Sequence, residues 1–251
     1  MSFDAHNHLD ARAFEGRREA VWARAQAVGV TGCLIAGADP RDADRVASVA
    51  NALGQPYALG VHPWWTDVVA GPDALAVLAS RGDLAIVGET GLDRRKARTE
   101  AAWQAQVALF RDHLALARQR GLPVVLHVVG AYPEVAAWLR RDGVPEAGGM
   151  VHAWSGPVDA VADFVALGLQ LSFGGPVTRS RRVLAAALAT PDPARLLESD
   201  APDQPHAGEA VSEPADVTRL AAFLSAAAGR PIEAPRPRFL AATRWAGAPA
   251  A

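Results

Sequence analysis

The chain holds 251 residues, 50% of them hydrophobic, with 25 Lys and Arg against 27 Asp and Glu. That is enough apolar chain for one large core, and a net charge of −2 excludes a protein that coats nucleic acid by bulk electrostatics, leaving only local basic patches. The single cysteine, Cys33, excludes both a disulfide framework and a cysteine-rich zinc site.

Short apolar runs recur along the chain: SFDAHNH (2–8), TGCLIAG (31–37), PYALGVH (56–62), LAIVGET (84–90), PVVLHVV (123–129), GMVHAWS (149–155), LQLSFGG (169–175) and RLLESDA (195–201). Each is followed by an Ala-, Leu- and Arg-rich stretch of helical period, as between Thr99 and Arg120, where Trp103, Val107, Phe110, Leu114 and Ala117 recur at steps of three and four. Eight such repeats in a chain of this length predict a (β/α)₈ TIM barrel occupying residues 1–251 as one domain. The Pro-rich stretch before Phe239 introduces a short terminal helix, and the tail 246–251 is expected to fray. No apolar run approaches the ~20 residues of a membrane span, and only five residues precede His6, so the expectation is a cytoplasmic protein without membrane contact, and a monomer.

Polar residues cluster at the carboxyl ends of the runs, the face on which a barrel assembles its chemistry. His6 and His8 lie in the first, Glu89 ends the fourth, His127 the fifth, His152 lies in the sixth and Asp200 closes the eighth. Strand periodicity turns His6 and His8 to the same side. Imidazoles with carboxylates suit divalent zinc, iron, manganese or magnesium. The predicted arrangement holds two ions: one on His6, His8, Glu89 and Asp200, the other on Glu89, His127 and His152, with Glu89 as the bridge. Two such ions lower the pKa of a shared water, and Asp200 is the expected proton acceptor. An H-x-H pair by itself arises by chance; the weight comes from four of seven histidines and two carboxylates meeting at one rim. A bridging carboxylated lysine is excluded, because the only lysine, Lys96, lies in a charged loop past Glu89.

In order, FDAHNHLD, GVHP, VGETGLD, LPVVLH, VHAWSG, LSFGG, LLESDAP and a later EP before a helix resemble the TatD family of metal-dependent deoxyribonucleases nearly end to end. The resemblance implies a TIM barrel with one to three divalent ions and phosphodiester hydrolysis, chiefly at DNA ends, and it places the family's ligands on His6, His8, Glu89, His127, His152 and Asp200. The chain also departs from the pattern. RRKAR follows GLD where the family has tyrosines, and VVGAY follows His127 where it has Ser-Arg-Asp, so that a phosphate arginine is replaced by Val129. Trp154 and Ser199 are milder changes.

Phosphate contacts are therefore sought in two arginine clusters on the rim: Arg94, Arg95, Lys96 and Arg98 after the fourth run, and Arg179, Arg181 and Arg182 after the seventh. Each arginine on its own reads as a solvated charge; one or two of the seven cations are expected to touch phosphate. His62 is expected to orient substrate, and Trp64 or Trp65 to stack on a base or cap the core. Asp4 and Asp93 are expected to support the ligands, His113 to have no part in chemistry, and His206 to lie in the loop after Asp200. The leading function is a metal-dependent phosphodiesterase acting on DNA. A metallo-amidohydrolase or lactonase for a small carbonyl compound, and a non-catalytic partner-binding protein, are the other readings; the loss at Val129 favours the first of these two, and the full ligand set opposes the second.

Overall fold

The computed structural model describes residues 1–66 and 72–243; the tail expected to fray lies outside them. Eight parallel strands form one sheet in sequence order: β1 (Ser2–Asn7), β2 (Val30–Gly37), β3 (Tyr57–Leu59), β4 (Val87–Asp93), β5 (Val124–Val129), β6 (Gly149–His152), β7 (Gln170–Phe173) and β8 (Arg195–Leu197). Helices α1 (Arg18–Ala27), α2 (Ala43–Leu53), α3 (Pro72–Ser80), α4 (Glu100–Arg120), α5 (Tyr132–Asp142), α6 (Asp159–Ala166), α7 (Arg181–Ala189) and α8 (Asp216–Ala228) alternate with them. This is the (β/α)₈ barrel. No helix among the described residues is long and apolar enough to cross a membrane.

Strands in such a barrel are buried on both faces, which is why their sequences read as continuous apolar runs. Phe3, Leu34, Ala58, Val125, Met150 and Leu196 fill the barrel interior together with Phe239 and Leu240. Those last two belong to the short terminal turn Arg238–Ala242, which plugs the end of the barrel opposite the polar rim. The second and larger cluster lies between strands and helices. Thr99 caps α4 by accepting the amide N–H of Ala102 at 3.1 Å, and Gly121 ends it at a φ of 64°.

Strands are shorter than the apolar runs, except β2, which begins one residue before its run, and β4, which is displaced toward its carboxyl end. Glu89 was expected to end that strand; it lies inside it, with pairing continuing to Asp93. The register between β4 and β5 breaks between Val87 and Thr90. Irregularities of this kind turn a side chain out of strict alternation, and here the one turned is Glu89. Gly88 and Gly91 adopt φ values of 144° and 146°, and a Cβ on Gly91 would fall 1.9 Å from the carbonyl oxygen of His127. Only glycine permits β4 to press so closely against the strand that carries His127.

Between β8 and β1 the barrel is closed by individual hydrogen bonds. The Asp200 amide donates to the His6 carbonyl at 3.0 Å, and the His8 amide to the Ala201 carbonyl at 2.7 Å. Ser199 donates its amide and its hydroxyl to the two carboxylate oxygens of Asp4, at 2.8 and 2.7 Å.

Candidate metal centre

Glu89 sorts its neighbours by oxygen. Oε2 faces Nε2 of His6 at 3.4 Å and of His8 at 3.3 Å. Oε1 faces Nε2 of His152 at 2.7 Å and Nδ1 of His127 at 3.7 Å. Asp200 Oδ1 completes the first group, 3.7 Å from His6 and 3.4 Å from His8. All six side chains singled out at the rim therefore meet in one cluster. In the second group His127 Nδ1 and His152 Nε2 are 3.1 Å apart, while the rings of His6 and His152 stack at 4.0 Å between centroids and join the two groups.

The second nitrogen of each imidazole sets which one faces inward. His8 Nδ1 donates to the Ala36 carbonyl at 2.7 Å, leaving the Nε2 lone pair for the site. His127 Nε2 lies 3.4 Å from Asp93 Oδ2, which frees Nδ1. His62 differs: its Nδ1 accepts the Trp64 amide at 3.1 Å, so a neutral His62 carries its proton on Nε2 and presents a donor 3.6 Å from Glu89 Oε1.

Burial opposes charge throughout this cluster, and the close pairs decide the balance. Burial raises the Glu89 and Asp200 carboxyls, yet the surrounding imidazoles outweigh it and hold both below the ordinary carboxylate range. Burial depresses His6, reinforced by His152. It also holds His62 far down, with His127 adding to the effect. His8 moves the other way: burial lowers it, but the hydrogen bond to Asp200 and the charges of Glu89 and Asp200 raise it to about 10. His152 is raised well above the usual value despite its burial, chiefly by Glu89.

These residues fit divalent ions. Both ring nitrogens of His6 and Nδ1 of His152 are buried without a hydrogen-bond partner, and buried polar atoms left so need a ligand. His6, His8 and Glu89 bring their ligand atoms within 4.8 Å of one another, and His62, Glu89 and His127 lie equally close, His62 there as a donor facing Glu89 and not as a ligand. Asp200 has a φ of 53° and Ala153, next to His152, one of 47°; such left-handed backbone in residues other than glycine concentrates at functional sites.

Glu198 completes a third set with His6 and His152, and the sequence reading passed it over. It is fully buried, accepts the Ala153 amide at 2.8 Å and the Ser172 hydroxyl, and lies 3.8 Å from His152 Nδ1. Glu198 directly follows β8, so a carboxylate at the carboxyl end of the eighth strand was the signal. Gln204, also unforeseen, donates to Asp200 Oδ2 at 2.5 Å and leaves Oδ1 facing the histidines.

The centre opens into a cavity of about 970 Å³. His62, Trp64, Arg95, Lys96 and Arg179 line it. Trp64 is half-exposed, its indole N–H bonded to Asp93 at 2.6 Å and its ring 4.2 Å from the Lys96 ammonium. Burial raises Asp93, but the hydrogen bonds from His127 and Trp64 outweigh it and bring its pKa to about 2. Arg94 and Arg181, both expected at the mouth, line no part of it. The Arg94 guanidinium turns away to stack on Trp103, 3.7 Å from the ring centre, because an aromatic face on α4 lies within reach. Arg181 is exposed at the first position of α7. His206 is buried beside the cavity without lining it. His113 is a packing residue, its Nε2 accepting the Val61 amide at 3.1 Å.

Fold and site together define a metal-centred hydrolase barrel. The family profile described as TatD related DNase matches residues 3–237. The 3'-5' ssDNA/RNA exonuclease TatD of Dickeya dadantii is 35% identical over 214 residues, covering 80% of this chain and 78% of its own. The uncharacterized metal-dependent hydrolase YjjV of Escherichia coli is 32% identical over 209 residues, covering 80% of each. The crystal structure of the latter, a TatD homolog, superposes with a TM-score of 0.82 at 29% identity over 90% of this chain and 89% of that one. The chain belongs to the TatD-related DNase family.

Proposed function

We propose that residues 1–251, acting as one cytoplasmic domain and as a monomer, hydrolyse phosphodiester bonds at the ends of single-stranded nucleic acid with two divalent ions. The observation that carries this reading is the division of Glu89 between two imidazole groups, with Oε2 toward His6 and His8 and Oε1 toward His127 and His152. In this reading His6, His8, Glu89 and Asp200 hold one ion, and Glu89, His127 and His152 the other. Zinc, manganese, magnesium and iron all suit the donor set. When bound, the ions would polarise the phosphoryl oxygens and make water more acidic.

The protein's own groups supply the rest. Asp200 accepts the proton of the attacking water on Oδ1, since Gln204 holds Oδ2. His62 donates from Nε2 to a phosphate oxygen, and burial keeps it neutral for that purpose. Trp64 offers an exposed ring at the mouth on which a base stacks. Arg95, Lys96 and Arg179 put cationic side chains at the mouth, within reach of a phosphate backbone that approaches the metal-ligating acids.

The test is incubation of end-labelled single-stranded DNA with the protein across manganese, magnesium, zinc and iron. Stepwise release of mononucleotides is the expected result. No release in any metal would overturn the proposal.

A further inference from the structure

Beside the metal cavity lies a second one of about 450 Å³, between α5 and α6. Arg95, Val129 and Ser155 line both, so the two spaces share a wall. We propose that this lateral pocket is a subsite for the phosphate next to the one that is cut, with the attached base against its apolar lining. The proposal rests on the phosphodiesterase reading above.

Charge is the first argument. Arg95, Arg140 and Arg182 face the pocket, with Asp163 the one carboxylate. Asp163 is held by Arg140 at 2.9 Å. Arg95 and Arg182 have no ion pair among the described residues, and they approach from separate elements, Arg95 from the loop after β4 and Arg182 from the first turn of α7. The first turn of α7 carries Arg181 and Arg182 and no acid, whereas a helix amino terminus favours negative charge. An anion between Arg95 and Arg182 would satisfy both guanidinium groups and that helix end.

Hydrogen bonding is the second. Tyr132 Oη accepts the Ser155 amide at 3.1 Å and lies 3.0 Å from the Ser155 hydroxyl. The bond between the two hydroxyls consumes one hydrogen, leaving the other O–H free to donate to a phosphate oxygen. Apolar surface from Pro133, Pro157 and Ala160 lines the pocket beside these groups, against which a base can pack.

Position is the third. Val129 stands two residues beyond His127 on β5, about 7 Å along the strand, a reach comparable to one nucleotide of an extended backbone. Its side chain cannot bind phosphate, so the cations flanking it take that role. Arg95 is also fixed relative to the centre, because its amide donates at 2.9 Å to Asp93, which lies against His127.

The test uses single-stranded oligonucleotides carrying one uncharged methylphosphonate linkage at successive distances from the cleaved bond, with the wild-type protein and with Arg182→Ala and Arg95→Ala. In the wild type the neutral linkage is expected to raise KM about tenfold or more when adjacent to the cleaved bond, and little when placed further along. The adjacent penalty is expected to shrink in both variants, and the change to fall on KM more than on kcat. A wild type indifferent to the position of the neutral linkage, or a penalty undiminished in both variants, overturns the subsite while leaving the proposed activity standing. A protein that cleaves not even the fully charged strand overturns both.

Discussion

His152 Nε2 lies 2.7 Å from Oε1 of Glu89, the shortest approach between a histidine and a carboxylate in the cluster. The pair is buried at the base of the cavity, so the carboxylate charge acts at reduced effective dielectric on the imidazoles around it. Replacing Glu89 with Gln keeps the shape and removes that charge. Glu89→Gln is expected to retain little bound metal, by elemental analysis, and to lose about 10²-fold or more in kcat. Full metal content in this variant would break the link between Glu89 and both ion positions.

Asp200 has a separate duty, the proton. Asp200→Asn is expected to lower kcat by about 10²- to 10⁴-fold, the usual worth of a general base, while a substrate analogue still binds. The pH profile of the variant, measured through kcat/KM, is expected to lose its acidic limb. A variant with wild-type kcat would remove Asp200 from the chemistry.

The same carboxylates raise His8 to about 10 in the metal-free protein, so at neutral pH this imidazole carries a proton that an ion must displace. Metal binding is therefore expected to release protons. Calorimetric titration in buffers of different ionisation enthalpy reads this as a heat that changes with the buffer. Chelation removes a ligand of the folded state alone. A metal present at 100 times its Kd adds about 2.7 kcal/mol, which for a chain of this size corresponds to a Tm drop of roughly 5 to 10 °C on adding chelator.

His113 gives a pH dependence free of the metal centre. It is buried in α4 and its pKa falls to about 4, burial outweighing the hydrogen bond to the Leu109 carbonyl. The folded value lies below the unfolded one of 6.5. Above about pH 6.5 neither state takes the proton and this contribution is complete. Between there and about 4 only the unfolded chain takes it, so stability falls as pH falls, by ~2 kcal/mol at pH 5. His113→Gln, whose amide can still accept from Val61, is expected to show a smaller drop in urea midpoint between pH 7 and pH 5. An unchanged drop would assign the effect to other groups.

The barrel was legible because a parallel strand buried on both faces must be apolar throughout, and eight such runs leave few alternatives. What the runs mark is burial and not pairing. Leu84 and Ile86 are buried ahead of β4, yet β3 meets β4 only at Leu59 and Val87. Ligand candidates were legible from residue type and strand position. Glu198, although it follows directly on β8, was not legible because only the tertiary fold brings its carboxylate to the Ala153 amide and His152. Arg94 and Arg181 show a different limit. Sequence places a residue in a loop, but the direction of a long flexible side chain depends on partners elsewhere, here Trp103 on α4.

The seam between the first and last strands is tied by the very backbone that carries His6, His8 and Asp200. Fastening and catalysis thus share the same few residues. On warming, any fraying along this join would pull the two histidines away from the aspartate while the outer ring of helices still stood, so heat is expected to silence the enzyme some degrees before far-ultraviolet circular dichroism registers any loss of helix.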